Sequence, residues 1–325
     1  MVGFPQSEID KDTPIVKLIQ EYDIGGVILF DRFFQDKKKI KNIQSPAQVQ
    51  NLTKTLKTYS TDLLIAVDQE GGKVQRLKSR DGFRSTKSAK AIAQMTKEKA
   101  KVEYEKLSLM LKELGINCNL APVVDMEINK DNFVIKGLER SYGKSSLDVA
   151  QFASIFIDSM NSHGILSTIK HFPGHGSSLG DTHKGFVDVS STWQEKELEP
   201  YKTLISQKKV KMIMTAHIFN KHLDQKYPAT LSHKINTKLL REKLGFDGVI
   251  ISDDLQMKAI SDHYSLKETV TLAINAGVDM LLFGNQLSTT DTKKIIETIF
   301  EQVKTGEIKY ADILNSNQRI DKIRL

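Results

Sequence analysis

The chain has 325 residues, of which 39% are hydrophobic and 27% charged, with a formal net charge of +7. This suits a soluble globular protein with either one large core or two ordinary ones. A single cysteine, Cys118, excludes an internal disulfide and a cysteine-based metal cluster, and its apolar setting predicts a buried packing thiol.

No apolar run approaches the 18 residues that mark a membrane span, and no signal-peptide pattern is visible. Met1-Val2-Gly3-Phe4-Pro5 reads as a strand end with no element before it, so a preceding segment is expected to have been removed. The densest cationic run, Lys37-Lys38-Lys39 with Lys41, lacks interleaved aromatics and reads as a solvated loop. No nucleic-acid partner is expected from it.

Eight short apolar runs recur along the chain: 1–4, 26–30, 63–67, 119–124, 166–171, 212–216, 248–251 and 279–283. Each is read as a buried strand. Helical periodicity fills the segments between them, most clearly over 98–114, where Leu107, Leu111 and Leu114 share a stripe. Ser45-Pro46 opens another helix, with proline at the first helical position. Further helices are predicted over 147–163, 193–206, 235–244, 266–276, 292–304 and 310–323. Strands buried on both faces and alternating with helices imply a parallel sheet. Eight such units, with no linker or composition break, predict a single-domain (β/α)8 barrel of the TIM type over residues 1–325.

In such a barrel the chemistry sits just beyond the carboxyl ends of the strands. Strand three is followed by Asp68-Gln69-Glu70-Gly71-Gly72, with Arg76 close behind. Asp125 and Arg140-Ser141-Tyr142 follow strand four. Lys170 and His171 end strand five and open the loop Phe172-Pro173-Gly174-His175-Gly176 that runs to Asp181-Thr182-His183. His217 follows strand six, and Ser252-Asp253-Asp254 follows strand seven. Acids, bases and arginines at five successive strand ends are the pattern of an enzyme.

His171 and His175 have the spacing of a zinc-binding helix, but Pro173 and Gly174 between them forbid that helix. No metal and no cofactor is expected, and no phosphate-binding glycine loop is present. Asp181 and His183 are two residues apart, so the carboxylate can orient the imidazole and raise its basicity. A carboxylate at the mouth of strand seven together with that pair suits glycoside chemistry.

The stretch Lys170-His171-Phe172-Pro173-Gly174-His175-Gly176 followed by Asp181-Thr182-His183 resembles the signature of the β-N-acetylglucosaminidases of glycoside hydrolase family 3. The segments from Asp68 to Arg76, Arg140-Ser141-Tyr142, and Gly245 to Met257 also resemble that family's motifs, in order and at similar spacing. The resemblance implies a retaining exo-acting enzyme that releases terminal β-linked N-acetylglucosamine through a covalent glycosyl-aspartate. It makes Asp253 the nucleophile, with Asp254 the neighbouring alternative. His183 becomes the general acid/base, tuned by Asp181. Asp68, Arg76, Arg140, Lys170 and His171 become the residues that hold the sugar. His217, Asp125 and His175 are weighed evenly between lining the site and packing.

Two departures are visible. Asp-Thr-His stands where many relatives have Asp-Ser-His, and the loop from Phe30 to Gln44 is longer and richer in lysine. That loop either reshapes the pocket rim or is solvated. The chain also lacks the second α/β domain that family 3 β-glucosidases carry, which favours the N-acetylglucosaminidase branch. The expected partner is a carbohydrate, either a muropeptide carrying N-acetylglucosamine or a chito-oligosaccharide. The expected state is a monomer and the expected compartment the cytoplasm, or outside it if a leader has been removed. A phosphorylase and a non-catalytic muropeptide-binding barrel are the rival readings.

Overall fold

The computed structural model describes residues 1–324. Eight parallel strands follow one another around a barrel: β1 (Val2–Gly3), β2 (Gly26–Leu29), β3 (Leu64–Val67), β4 (Cys118–Asn119), β5 (Leu166–Phe172), β6 (Met212–Thr215), β7 (Val249–Asp254) and β8 (Met280–Leu282). Val2 bridges to Phe283, and the Gly3 N–H donates to the Phe283 carbonyl at 2.9 Å, which closes β8 onto β1. The single-domain (β/α)8 expectation is met.

The strand sequences explain why the sheet closes. Side chains alternate along a strand, so one set points into the barrel and the other toward the helices. Ile28, Leu64, Ala66, Cys118, Leu120, Leu166, Met212, Met214, Val249, Ile251, Met280 and Leu282 form the inner cluster. Val27, Leu29, Ile65, Val67, Ile213 and Ile250 belong to the larger cluster beneath the helices. Cys118 is a buried free thiol in the inner cluster, and burial pushes its pKa up to about 12.

Helix starts follow local chemistry. The Ser45, Thr96 and Ser145 hydroxyls accept the N–H three residues on, and Ser265 and Glu268 form a capping box. The helices they open are Pro46–Tyr59, Lys97–Glu113, Ser146–Asn161 and Leu266–Asn275. A further helix, Pro14–Tyr22, joins β1 to β2.

Several boundaries depart from the sequence reading. β4 ends at Asn119 rather than running to Val124, because Pro122 has no N–H to extend the ladder. Beyond Asn119 the chain stays hydrogen-bonded to its neighbours, the Leu120 N–H to the Val67 carbonyl and the Thr168 N–H to the Ala121 carbonyl (both 2.9 Å), up to a bridge from Val123 to Lys170. β7 continues past Ile251 to Asp254, so Asp253 and Asp254 stand on the strand itself. The predicted helix 193–206 is a 3-10 turn, Glu195–Leu198, followed by a helix over Glu199–Ser206 with Pro200 in its first turn. The helix predicted over 235–244 is a wide, π-type helix over Lys234–Lys243.

The lysine run is only partly a solvated loop. Lys37, Lys38 and Lys39 are exposed, but Lys41 is 1% exposed. Its ammonium donates to the carbonyls of Gly284 (3.3 Å) and Asn285 (2.6 Å) and to Gln286 Oε1 (3.2 Å). It thereby ties the loop after β2 to the loop after β8. Among the described residues no helix is long and apolar enough to cross a membrane.

Candidate active site

The carboxyl ends of the strands surround a cleft of about 440 Å³, within the range of small-ligand sites. Its floor is the top of the inner cluster, with Ile28, Leu120, Met214 and Leu282. Asp68, Arg76, His183, Asp253 and Asp254 line its polar wall, and Phe34, Lys37, Lys78 and Arg80 stand toward its mouth.

A chain of charge-assisted hydrogen bonds backs one side of this cleft. Asp68 accepts Lys170 Nζ at 2.9 Å and Arg76 Nη2 at 3.2 Å. Lys170 Nζ also reaches Glu70 Oε1 at 2.8 Å. Glu70 is gripped by Arg140 through Nε (2.7 Å) and Nη2 (2.8 Å), the bidentate geometry that favours arginine over lysine. Arg140 Nη2 lies 3.2 Å from His171 Nε2, and His171 Nδ1 lies 2.7 Å from Asp125 Oδ2. A guanidinium can only donate, so in the neutral imidazole Nε2 accepts and Nδ1–H donates to Asp125.

Asp125 is the hub at the end of this chain. It is 1% exposed and also accepts the backbone N–H groups of His171 (3.3 Å) and His175 (2.8 Å). Burial pushes the carboxyls of Asp68, Glu70 and Asp125 up, but the adjacent cations and the His171 hydrogen bond outweigh it. All three lie below the usual range. Burial also opposes the Lys170 ammonium, yet Asp68 and Glu70 hold its pKa above the ordinary value.

Asp253 stands near the end of β7 and accepts the Asp254 N–H at 2.8 Å. Burial raises its pKa, but the fields of His217, His171 and His183 prevail and keep it low, so the carboxylate is ionised at neutral pH. Its neighbour behaves in the opposite way. Burial pushes Asp254 up to about 6, and its Oδ1 accepts the N–H groups of Gln256 (3.1 Å) and Gly284 (3.2 Å). Asp254 is therefore used to hold the turns after β7 and β8. His217, 1% exposed, bonds Thr230 Oγ1 through Nδ1 (2.8 Å) and the Asp254 carbonyl through Nε2 (3.0 Å). It braces the strand that presents Asp253.

His183 comes from the long loop after β5. Its Nδ1 lies 2.8 Å from Asp181 Oδ1, and that same oxygen accepts the His183 N–H at 3.0 Å. Burial disfavours the imidazolium, but the hydrogen bond to Asp181 and the charges of Asp253 and Asp181 outweigh it. The His183 pKa lies above its ordinary value. The cleft therefore holds an ionised carboxylate and a carboxylate-backed histidine. Among the described residues no cluster of histidine, cysteine or carboxylate side chains is arranged to hold a metal ion.

Of the residues singled out from sequence, Asp68, Arg76, His183 and Asp253 line the cleft, and Asp181 supports His183. Arg140, Lys170 and His171 are buried behind Asp68, with donors committed to Glu70, Asp68 and Asp125. Sequence reading gave Glu70 no role, although it stands two residues from Asp68 in the same motif. It also passed over Phe34, Lys78 and Arg80 and read Lys37 as part of a solvated run; the convergence of these four joins the loops after β2 and β3. The long Phe30–Gln44 loop does form part of the pocket rim.

Comparison with known proteins points the same way. The sequence profile of the glycosyl hydrolase family 3 N terminal domain matches residues 4–323. Beta-hexosaminidase A of Pseudoalteromonas piscicida is 32% identical, covering 95% of this chain but only 54% of that protein. A beta-hexosaminidase of Tolumonas auensis is 37% identical over 83% of this chain and 78% of its own length. The structure of a glycoside hydrolase family 3 β-N-acetylglucosaminidase from Paenibacillus sp. FPU-7 superposes with a TM-score of 0.87 at 32% identity. That match covers 99% of this chain and 60% of the Paenibacillus chain. The chain thus spans just over half of the first of these proteins and three-fifths of the last. With the profile matched over nearly all of its length, the chain belongs to glycosyl hydrolase family 3 through that family's N-terminal domain.

Proposed function

We propose that the protein is a retaining exo-acting β-N-acetylglucosaminidase that releases terminal β-linked N-acetylglucosamine by double displacement. The observation that carries this reading is one cleft lined by ionised Asp253 and by His183, which Asp181 backs; the Asp253 pKa is lowered and the His183 pKa raised. Asp253 attacks the anomeric carbon while protonated His183 gives its proton to the departing oxygen. Neutral His183 then takes a proton from water as that water displaces Asp253 from the sugar. Asp68 and Arg76 face the bound sugar, and Lys170, Arg140 and His171 hold Asp68 and its surroundings in place.

The mouth of the cleft supports peptidoglycan fragments as the substrate. Arg32, Lys37, Lys78 and Arg80 gather there; Asp31 pairs with Lys78 (2.6 Å) and Arg80 (3.7 Å) and Asp81 with Arg32 (2.7 Å), which leaves an excess of positive charge, a setting that favours an acidic leaving group such as a muropeptide. A chito-oligosaccharide, being neutral, gains nothing from these cations. Recycling of such fragments fits a cytoplasmic enzyme, which cell fractionation tests.

The same cations, with a histidine rather than a carboxylate as acid/base, favour a second reading in which phosphate replaces water in the second step. Nitrophenol release from β-N-acetylglucosaminide and β-glucoside aryl substrates, with and without inorganic phosphate, separates these readings. Selective release from the N-acetylglucosaminide that collapses in Asp253→Asn is expected. Release confined to the glucoside would overturn the N-acetyl assignment, and phosphate-dependent turnover would favour the phosphorylase.

A further inference from the structure

Glu197 is a buried carboxylate with no part in the steps above. It lies on the short turn before the helix Glu199–Ser206, is 1% exposed, and does not line the cleft. Its Oε2 accepts the N–H of Gly176 at 2.9 Å and that of Ser177 at 3.3 Å, while Oε1 accepts the N–H of Gln194 at 3.3 Å. Burial pushes its pKa up to about 7, so keeping an ionisable group here is costly compared with an apolar one.

The two glycines of the loop's opening answer to close neighbours on either side of the chain. A Cβ on Gly174, whose φ is +119°, would stand 2.6 Å from Glu197 Cβ. A Cβ on Gly176 would stand 1.8 Å from the Met126 carbonyl oxygen. The chain is therefore wedged between Met126 on one side and Glu197 on the other. Asn132 adds hydrogen bonds to the carbonyls of His175 (2.8 Å) and Gly176 (3.1 Å), and Trp193 Nε1 donates to the Pro173 carbonyl at 3.2 Å. Beyond Ser178 the ties thin out. Leu179 is exposed, and the tip docks through the Ala259 N–H on the Thr182 carbonyl at 3.2 Å. The position of Asp181 and His183 over the cleft is thus set from a fixed base a few residues upstream, and Glu197 is the side chain of that base that accepts the Gly176 and Ser177 N–H groups.

We propose that Glu197 is the positioning residue of the Asp181–His183 loop, holding Gly176 and Ser177 so that the imidazole stands over the cleft against its carboxylate. The inference rests on His183 being the acid/base for its kinetic consequence, but not for its structural one. Misplacement of a reacting group by about 1 Å can cost on the order of a hundred-fold in rate.

The test combines three readouts on the parent, Glu197→Gln and Glu197→Ala. They are an NMR titration of the His183 ring, assigned by its absence in His183→Ala; amide exchange over residues 176–183; and kcat and KM on a substrate with a poor leaving group. Glu197→Gln keeps an oxygen toward Gly176 and Ser177 and is expected to behave nearly as the parent. In Glu197→Ala the His183 midpoint should fall toward the ordinary histidine value, loop amides should exchange at least about ten-fold faster, and kcat should drop about 10- to 100-fold with KM little changed. Should the alanine variant fail to fold, Glu197→Asp, which keeps the carboxyl group but shortens its reach, is expected to shift the same readouts. A folded variant with unchanged His183 titration and loop exchange overturns the proposal. Shifted titration and exchange with undiminished turnover uphold the positioning and overturn the acid/base reading of His183 instead.

Discussion

One oxygen of Asp181 serves His183 twice, accepting its ring nitrogen at 2.8 Å and its backbone N–H at 3.0 Å. A carboxylate bound in this way fixes the tilt of the ring and leaves Nε2 as the nitrogen free to face a substrate. It also keeps the imidazole charged to higher pH than an isolated histidine.

Asp181→Asn preserves the shape and an acceptor oxygen but removes the charge. The general acid must be protonated, so its pKa sets the alkaline limb of the pH–rate profile. Losing the Asp181 charge lowers that pKa and should move the alkaline limb to lower pH. Turnover of substrates with poor leaving groups should fall about 10- to 100-fold, and good leaving groups should be affected less. A limb that stays in place would mean that another group supplies the proton.

Glu70 offers a stability test with a defined sign. Its folded pKa is depressed, so its contribution is fully present above the unfolded value, about 4.3, and is lost as pH falls below that value. Asp68 and Asp125 act in the same direction. Glu70→Gln leaves the buried Arg140 and Lys170 without one carboxylate and should cost about 3–5 kcal/mol at pH 7. Because one depressed carboxylate is gone, its stability should also decline less steeply than that of the parent below pH 4. Urea unfolding at pH 7, 5 and 3 measures both effects. Parallel curves for the two proteins would show that folding does not depress the Glu70 pKa.

Lys41 links the rim of the cleft to the turn after β8. Burial lowers its pKa to about 8, with Asp254 opposing the shift, so the ammonium is still mostly charged at neutral pH. Lys41→Met keeps the buried stem and removes the three hydrogen bonds to residues 284–286. It should cost about 1–3 kcal/mol and raise KM more than it lowers kcat, because the rim carrying Phe34 and Lys37 loosens while Asp253 stays in place. Thermal unfolding together with steady-state kinetics checks this. A kcat loss at constant KM would point to coupling through Asp254.

The barrel was legible because its evidence is local. Runs such as Gly26-Val27-Ile28-Leu29 are apolar on both faces, and the helix that starts at Ser45-Pro46 is marked by its own first residues. The strand ends that carry Asp68, Asp253 and the loop to His183 followed from the same pattern. What stayed hidden depends on partners far away in sequence. Lys41 looked like its exposed neighbours because its acceptors lie more than 240 residues downstream. The pairing of Glu70 with Arg140, the three-way role of Asp125 and the grip of Glu197 on Gly176 are likewise contacts between separate loops. β4 was read too long because a run of apolar residues outweighed the missing N–H of Pro122.

The most direct measurement is to trap the glycosyl-enzyme with a slow 5-fluoro N-acetylglucosaminyl fluoride and find the labelled peptide by mass spectrometry. A stoichiometric adduct on Asp253, absent in Asp253→Asn, is expected. An adduct on Asp254 or elsewhere, or none in protein that still cleaves the aryl N-acetylglucosaminide, would contradict Asp253 as the nucleophile.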